Sequence, residues 1–356
     1  MRVGLVVEQL RRAVPGGIGT YARGLVKGLA ELGEESPEVV LLASRPGARP
    51  DPIASLGPPV RRSRLPGPVA TRAWHLGVVP PVRDLDVVHA VSVALPPTGG
   101  VPGVACVHDL AWRDLPDTFP ARGRRWHEDA LARTLRRARA FIVPSAATAA
   151  VLSRAGAPPG TVSIVEEGCD HLSPPDEAAT AACLSALGVE GPYLLSVGTL
   201  EPRKNLARVL EAFGQARGDL PGAWPLVVVG PRGWGAGLPP APGVVPAGAV
   251  APEVLAGLYA GARCLVYAPL AEGFGLPAVE AMAAGTPVVS SPLPSTGGHA
   301  LEVDPADVAG LASAMVRAAV DEDLRARLVA GGRARAAQLT WASAARAHLA
   351  VWREVA

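Results

Sequence analysis

The sequence predicts an α/β protein made of two doubly wound domains, and three observations carry that expectation. At 356 residues the chain exceeds one ordinary core and favours two compact domains of about 150 residues each, with a cleft between them open to a ligand. Short runs rich in Val, Ile and Leu alternate with Ala/Leu/Arg-rich helical segments, the pattern of parallel strands covered by helices on both sides. The stretch Gly168 to Gly191, holding Ser173-Pro174-Pro175-Asp176 and then an Ala-rich run, separates two sets of strands and reads as a connector.

In chain order, the first set of strand candidates is Val3 to Val7, Val39 to Ala43, Asp86 to Ala90, Val104 to His108, Ala140 to Pro144 and Val162 to Glu166. The second is Tyr193 to Val197, Leu226 to Gly230, Val244 to Ala247, Cys264 to Ala268 and Val288 to Ser290. The domains are therefore placed at 1–170 and 191–338, with 171–190 as linker. After Asp304-Pro305 the chain is Ala/Arg-rich and helical; its last segment, 339–356, carries Trp341 and Trp352 as large apolar anchors for packing back on the first domain.

Composition narrows the function. With 49% hydrophobic and 19% charged residues the chain can bury real cores, which excludes a disordered protein. No apolar run approaches the roughly 18 to 20 residues of a membrane span, and Met1 to Glu8 reads as a first buried strand rather than a signal peptide, so a cytoplasmic location is expected. Cys106, Cys169, Cys183 and Cys264 show no C-x-x-C spacing, suggesting neither a zinc cage nor a disulfide framework. A net charge of +2 gives no drive toward nucleic acid. Up to Asp170 there are 21 basic and 16 acidic residues, against 13 and 16 beyond it. Arg61-Arg62-Ser63-Arg64 and Arg122, Arg124, Arg125, Arg133, Arg136, Arg137 and Arg139 concentrate that excess. They fit either solvated helix faces or contact with an anionic acceptor or an anionic membrane surface, the latter peripherally at the inner face of the membrane.

In open α/β sheets ligands bind beyond the carboxyl ends of strands, so the residues that follow each strand deserve the closest reading. After the first strand, Gly16, Gly17 and Gly19 precede a helix expected to begin near Tyr21; such glycines let backbone N–H groups approach a phosphate, or simply make a tight turn. After Tyr193 to Val197 comes Gly198-Thr199-Leu200-Glu201-Pro202-Arg203-Lys204-Asn205, with Asn205 as helix N-cap. Two cations at a helix N-terminus are disfavoured by the macrodipole unless an anion shares the site, and diphosphate is such an anion. The chain has only two lysines, Lys27 and Lys204, which singles out the second.

After Cys264 to Ala268 the chain reads Glu272-Gly273-Phe274-Gly275-Leu276-Pro277-Ala278-Val279-Glu280. Pro277 suits a first helical turn, which puts Glu280 on that turn and the backbone of Gly273, Phe274, Gly275 and Leu276 at its mouth. A carboxylate accepting from vicinal hydroxyls is a sensible reader of a sugar or ribose ring. His108, beside Asp109 at a strand end, is a candidate donor to a sugar hydroxyl, and structural as readily. In Gly230-Pro231-Arg232-Gly233-Trp234-Gly235 the glycines give a pliable loop from which Arg232 or Trp234 faces a nucleotide, unless it is a plain turn.

Together these residues resemble the retaining glycosyltransferases of family four, with the GT-B architecture of two Rossmann-like domains facing across a cleft. Glu272 and Glu280, with seven residues between, match that family's E-x-x-x-x-x-x-x-E motif, and Ala281 to Val289 continues the likeness. Gly198 to Asn205 is similar to its donor-phosphate loop, His108-Asp109 to its active-site His segment, and Gly16 to Gly19 to its diphosphate-facing loop. The resemblance implies an acceptor-side first domain and a second domain that binds the nucleotide sugar. It implies that Arg203 and Lys204 hold donor phosphates, that Glu280 contacts the ribose, and that Glu272 and His108 lie by the transferred sugar. Gly16, Gly17, Gly198, Thr199, Gly230 and the Gly273 to Leu276 loop complete the implied donor contacts. Two departures are visible: Thr199 stands where some relatives carry Arg, and Pro294-Ser295 where many carry Pro-Glu.

The expected reaction is transfer of a hexose from a nucleotide-diphosphate sugar to a glycan, lipid-linked or small-molecule hydroxyl. Mannosyltransferase-like likeness around Val197 to Leu206 makes GDP-mannose the first donor to consider. Cations and glycine-loop N–H groups would stabilise the leaving diphosphate. No cofactor is implied, and the two cations could take the place of a divalent ion, so metal independence is expected. Retention comes from the resemblance; no protein nucleophile is apparent, which favours front-face attack. Two rivals remain: a sugar-nucleotide-binding module without catalysis, against which His108 and both motif glutamates speak, and an NAD-dependent oxidoreductase. The latter lacks a clean G-x-G-x-x-G and leaves the cation pair unexplained.

Overall fold

The computed structural model describes residues 1–48, 50–80, 82–222, 224–235 and 237–356, and His75 by its backbone alone. The chain divides into two compact units: Met1–Asp114 with Ala121–Gly168 and Thr340–Ala356, and Leu115–Pro120 with Cys169–Leu339.

The first unit contains β1 (Arg2–Val6), α1 (Gly16–Glu31), β2 (Glu38–Arg45), β3 (Val60–Pro66), α2 (Gly67–His75), β4 (Val87–Ala90), β5 (Gly103–Cys106), α3 (Ala111–Asp114), α4 (Ala121–Arg137), β6 (Ala140–Val143), α5 (Ala146–Arg154) and β7 (Val162–Ile164). Its seven strands pair in parallel in the order β3-β2-β1-β4-β5-β6-β7. The order reverses between β1 and β4, which makes their carboxyl ends the switch point of this sheet.

The second unit contains α6 (Glu177–Ala186), β8 (Leu194–Val197), α7 (Leu206–Ala216), β9 (Leu226–Val229), β10 (Val244–Gly248), α8 (Pro252–Gly261), β11 (Cys264–Tyr267), α9 (Leu276–Ala284), β12 (Val288–Ser290), β13 (Leu301–Glu302), α10 (Val308–Val320) and α11 (Glu322–Gln338). Here the parallel order is β10-β9-β8-β11-β12-β13, with the switch between β8 and β11. Successive side chains of a strand point to opposite faces. Leu195, Val227, Val229 and Leu265 accordingly enter one core, and Leu194, Leu226, Val228 and Val266 the other. Burial on both faces is why these strands read as unbroken apolar runs.

The last helix, α12 (Trp341–Val355), returns to the first unit and packs on α1. Gly24 and Gly28 make this possible, because a Cβ on Gly24 would meet the Trp341 ring at 2.0 Å and one on Gly28 the Trp341 carbonyl at 2.1 Å. Inside the contact, the Tyr21 hydroxyl lies 2.6 Å from His348 Nε2 and 3.2 Å from His89 Nε2. His348 donates from Nδ1 to the Ala344 carbonyl, so its Nε2 accepts from Tyr21.

Several sequence expectations need correction. The supposed linker 171–190 contains α6, which belongs to the second unit and is capped by Asp176 accepting from the Ala179 N–H. Two strands went unread. β3 (Val60–Pro66) is an edge strand whose Arg61, Arg62, Arg64 and Pro66 hide any apolar run while keeping the edge from pairing further. β13 is only two residues long. The helix expected near Tyr21 begins at Gly16, so Gly16 and Gly17 sit in its first turn rather than in a loop ahead of it. No helix among the described residues is long and apolar enough to cross a membrane.

Candidate active site

The switch point of the second unit brings together two of the loops singled out above, the one after β8 and the one after β11. Arg203 and Lys204 lie on a 3-10 turn, Pro202–Lys204, directly before α7. Asn205 follows with a left-handed backbone (φ 59°), and its side chain makes no N-cap hydrogen bond. Instead its amide donates to the carbonyls of Ala268 (3.0 Å) and Pro305 (2.8 Å), tying the start of α7 to the end of β11. Arg203 adds further ties: its carbonyl accepts from the Leu270 N–H, and its guanidinium donates to Ala271 O at 3.0 Å and Glu201 Oε1 at 2.8 Å.

All these ties converge on Glu272. Its Oε2 accepts from the Lys204 ammonium, from Arg203 at 3.2 Å and from the Tyr267 hydroxyl at 2.6 Å. Lys204 also donates to Tyr267 at 2.7 Å and stands 5.1 Å from that ring's centroid. Burial pulls the Glu272 carboxyl upward, but Lys204 and Arg203, helped by the Lys204 and Tyr267 hydrogen bonds, outweigh it and hold the group well below the usual carboxylate range. Burial, then the facing Glu272 carboxylate, pushes the Tyr267 phenol well above its ordinary value. At the neighbouring Glu201, burial outweighs the two cations and raises the carboxyl.

Glu280 is separate from that cluster in its bonding. It is the fifth residue of α9, in the second turn rather than the first, and 7% exposed. Oε1 lies 2.9 Å from His171 Nε2, and Oε2 accepts from the Tyr259 hydroxyl at 2.8 Å. Each carboxylate oxygen retains a second lone pair for a ligand hydroxyl. The loop ahead of α9 ends at Gly275, left-handed (φ 98°) and without a side-chain cap; Pro277 has no N–H and the Ala278 N–H donates to the Gly275 carbonyl at 3.0 Å, which leaves the Leu276 N–H as the first-turn donor for a ligand at this helix N-terminus. Phe274 and Leu276 are core side chains, 3% and 7% exposed, so only their backbones can meet a ligand. Gly198 and Gly230, at the ends of β8 and β9, come so close that a Cβ on Gly230 would meet the Gly198 carbonyl at 1.9 Å. Thr199 bounds the same approach, its Cγ2 standing 2.7 Å from where a Cβ on Gly233 would be. Trp234, read as facing a nucleotide, donates instead to the Thr118 carbonyl at 2.7 Å.

In the first unit His108 follows β5. Nε2 lies 3.0 Å from the Val91 carbonyl and Nδ1 2.9 Å from Glu167 Oε1, so both ring nitrogens face acceptors within the protein. Burial opposes the charged ring, yet Cys106 and Glu167 raise its pKa well above the ordinary value. His108 is thus bonded on both sides within the protein, the sequence having left a donor to a sugar hydroxyl and a structural ring equally open. Gly16 and Gly17 have open space where a Cβ would stand, at the N-terminus of α1. Sequence reading passed over Tyr267, Glu201, His171, Tyr259 and Glu167, the partners of the motif residues. Tyr267, at the carboxyl end of β11, and Glu201, in the loop after β8, sit where a site residue would be sought.

Two parallel doubly wound units with this loop cluster define a two-domain α/β protein of the GT-B fold. Residues 15–171 match the model of Glycosyltransferase Family 4 and residues 191–321 that of Glycosyl transferases group 1. The chain belongs to this glycosyltransferase family, with mannosyltransferases among its relatives. It is 31% identical over 256 residues to O-antigen chain mannosyltransferase B of Escherichia coli, covering 67% of this chain and 66% of that protein. With D-inositol 3-phosphate glycosyltransferase of Acidothermus cellulolyticus it shares 30% over 221 residues, covering 56% and 49%. The matches thus span about two thirds and about half of those relatives. The solved structure of HepE from Anabaena in complex with UDP-glucose superposes with a TM-score of 0.74 at 17% identity, over 99% of this chain and 100% of that one, a likeness of fold alone.

Proposed function

We propose that the protein is a retaining glycosyltransferase that moves a hexose, mannose in the first instance, from a nucleotide-diphosphate sugar to a hydroxyl acceptor without a metal ion. The observation that carries this reading is the Lys204–Glu272–Tyr267 cluster at the β8/β11 switch point, beside the uncapped N-terminus of α9. A leaving diphosphate gains negative charge as the glycosidic bond breaks. Lys204 retains a third N–H donor beyond those given to Glu272 and Tyr267, and with the Leu276 N–H and the positive end of the α9 dipole it supplies a fixed field for that charge. Arg203, held on Glu201, Ala271 and Glu272, acts more as the bracket that sets the distance between the two loops. Glu272 keeps its negative charge among cations and accepts from a sugar hydroxyl; Glu280 accepts from the ribose. The family relatives named mannosyltransferases support mannose, and the UDP-glucose bound by HepE supports a nucleotide sugar as donor class.

A panel of GDP-, UDP-, ADP- and TDP-sugars screened by thermal shift tests the donor. A ligand that binds only the native state raises the melting temperature with the logarithm of its concentration over its Kd, so at equal concentration the tightest binder shifts it most. GDP-mannose is expected to give the largest shift, and proton NMR of the transfer product to show the donor's anomeric configuration kept, with activity unchanged in EDTA. An inverted product or loss of activity in EDTA contradicts the corresponding part of this reading.

A further inference from the structure

The first unit holds a cavity of about 470 Å³ at the carboxyl ends of β1, β2, β3 and β4, where its sheet reverses order. That size suits a ligand of a few hundred daltons, such pockets running from about 300 to 1,000 Å³. Four arginines line it, Arg11, Arg12, Arg45 and Arg133, against a single acidic residue, Glu8.

Glu8 and Arg11 are used up by the wall itself. Glu8 accepts from the Ser44 N–H and hydroxyl, both at 2.8 Å, while Arg11 forks onto Asp51 at 3.0 and 2.7 Å and donates to the Ser44 carbonyl. Among the described residues the guanidinium groups of Arg12, Arg45 and Arg133 have no carboxylate partner and no hydrogen-bond acceptor. Arg12 lies 5.3 Å from the Trp126 ring centroid, and burial lowers its pKa, with Glu8 acting the other way. Three cations around one concavity repel each other, with Glu8 the single carboxylate beside them and already accepting from Ser44, and a ligand with several negative oxygens relieves that repulsion. Guanidinium forks match the oxygens of a phosphate, and Trp74, with Trp126 carrying Arg12 on its ring, adds apolar surface to the cavity wall.

We propose that the acceptor is a phosphate-bearing saccharide whose phosphate is held in this cavity by Arg12, Arg45 and Arg133. This deepens the function given above and rests on it, in that the first unit then serves the acceptor and the second the donor. The phosphate belongs either to a soluble sugar phosphate or to the head of a lipid carrier.

The test is calorimetric titration of the full chain with mannose 6-phosphate and with methyl mannoside, and co-sedimentation with phosphatidylcholine vesicles carrying a polyprenyl phosphate. Binding of the phosphate ester at least about tenfold tighter than the neutral glycoside is expected, lost about tenfold in each of Arg12→Gln, Arg45→Gln and Arg133→Gln and kept in Lys204→Ala. Arginine-dependent binding of the vesicles, with none of the soluble ester, assigns the phosphate to a lipid carrier and supports the same cavity. The proposal is overturned if the three arginine variants bind both probes like the wild type, or if Lys204→Ala alone abolishes binding, which would put the ester in the second unit. It is also overturned if phosphatidylglycerol vesicles bind equally with and without the arginines. None of these outcomes touches nucleotide binding, whose loss in the wild type would count against the donor reading instead.

Discussion

Tyr267 gives its hydroxyl hydrogen to Glu272 Oε2 across 2.6 Å while receiving one from Lys204 across 2.7 Å. One hydroxyl therefore links the cation assigned to phosphate with the carboxylate assigned to the sugar. Replacing Tyr267 by Phe leaves the ring in the core and removes only this link. The expected cost is about 1–2 kcal/mol of stability and about tenfold in kcat. Denaturant melts and steady-state rates measure both; unchanged kcat would show that the link is structural alone.

Removing a charge from the cluster acts more strongly. Lys204→Ala and Glu272→Gln each leave a mostly buried charge less well compensated, and each is expected to lower kcat/KM by at least about 100-fold. Arg203→Lys is expected to lose the fork that brackets the loops and to destabilise as well as slow the protein. Transfer rates at saturating donor, with melting temperatures alongside, separate the two effects.

The ionisable groups divide the pH dependence into windows. The folded Glu272 carboxyl is depressed, so its stabilisation is complete above its unfolded pKa of about 4.3 and is lost as pH falls through the folded value. His348, pushed by burial down to about 4, and His89, lowered well below its usual value by burial and then by His348 and His108, are buried neutral. The unfolded chain takes up protons at these histidines below about pH 6.5 while the folded chain does not, so stability falls between about pH 6.5 and 4. His108 runs the opposite way: its raised folded pKa gives stabilisation present below about pH 6.5 and lost as pH rises through the folded value. Urea melts across pH are expected to lose about one proton of slope between pH 6.5 and 4 in His348→Gln, whereas in Glu167→Gln the loss of stability is expected to be largest below about pH 6.5 and to shrink as pH rises above it.

Much of the fold was legible because parallel strands buried on both faces read as apolar runs, as in Leu226–Val229 and Cys264–Tyr267. β3 was not, because Arg61, Arg62 and Arg64 on an edge strand look like a solvated loop. Glu272 and Glu280 were legible from spacing, but their partners were not: His171 sits 109 residues from Glu280 and Tyr259 sits 21 away, and no local pattern records such pairings. Asn205 misled for a related reason: its side-chain NH2 donates to the carbonyls of Ala268 and Pro305, and its Oδ1, the atom a cap would use, accepts from Arg208 at 3.0 Å instead of from a helix N–H.

The glycine approach between β8 and β9 gives a purely steric prediction. A Cβ at Gly230, 1.9 Å from the Gly198 carbonyl and with φ at 149°, forces the two strand ends apart. Gly230→Ala is expected to cost about 3 kcal/mol or more, read from denaturant melts, whereas Gly214→Ala, with open space around it, is expected to be neutral or mildly stabilising.

The central claim is that the loops after β8 and β11 form the donor site. Calorimetric titration of GDP-mannose into wild type, Lys204→Ala, Glu280→Gln and Arg12→Gln tests it most directly. The account predicts a single site whose affinity falls by at least about tenfold in the first two variants and is unchanged in Arg12→Gln. Binding of every nucleotide sugar tried with equal affinity in wild type and Lys204→Ala would contradict it.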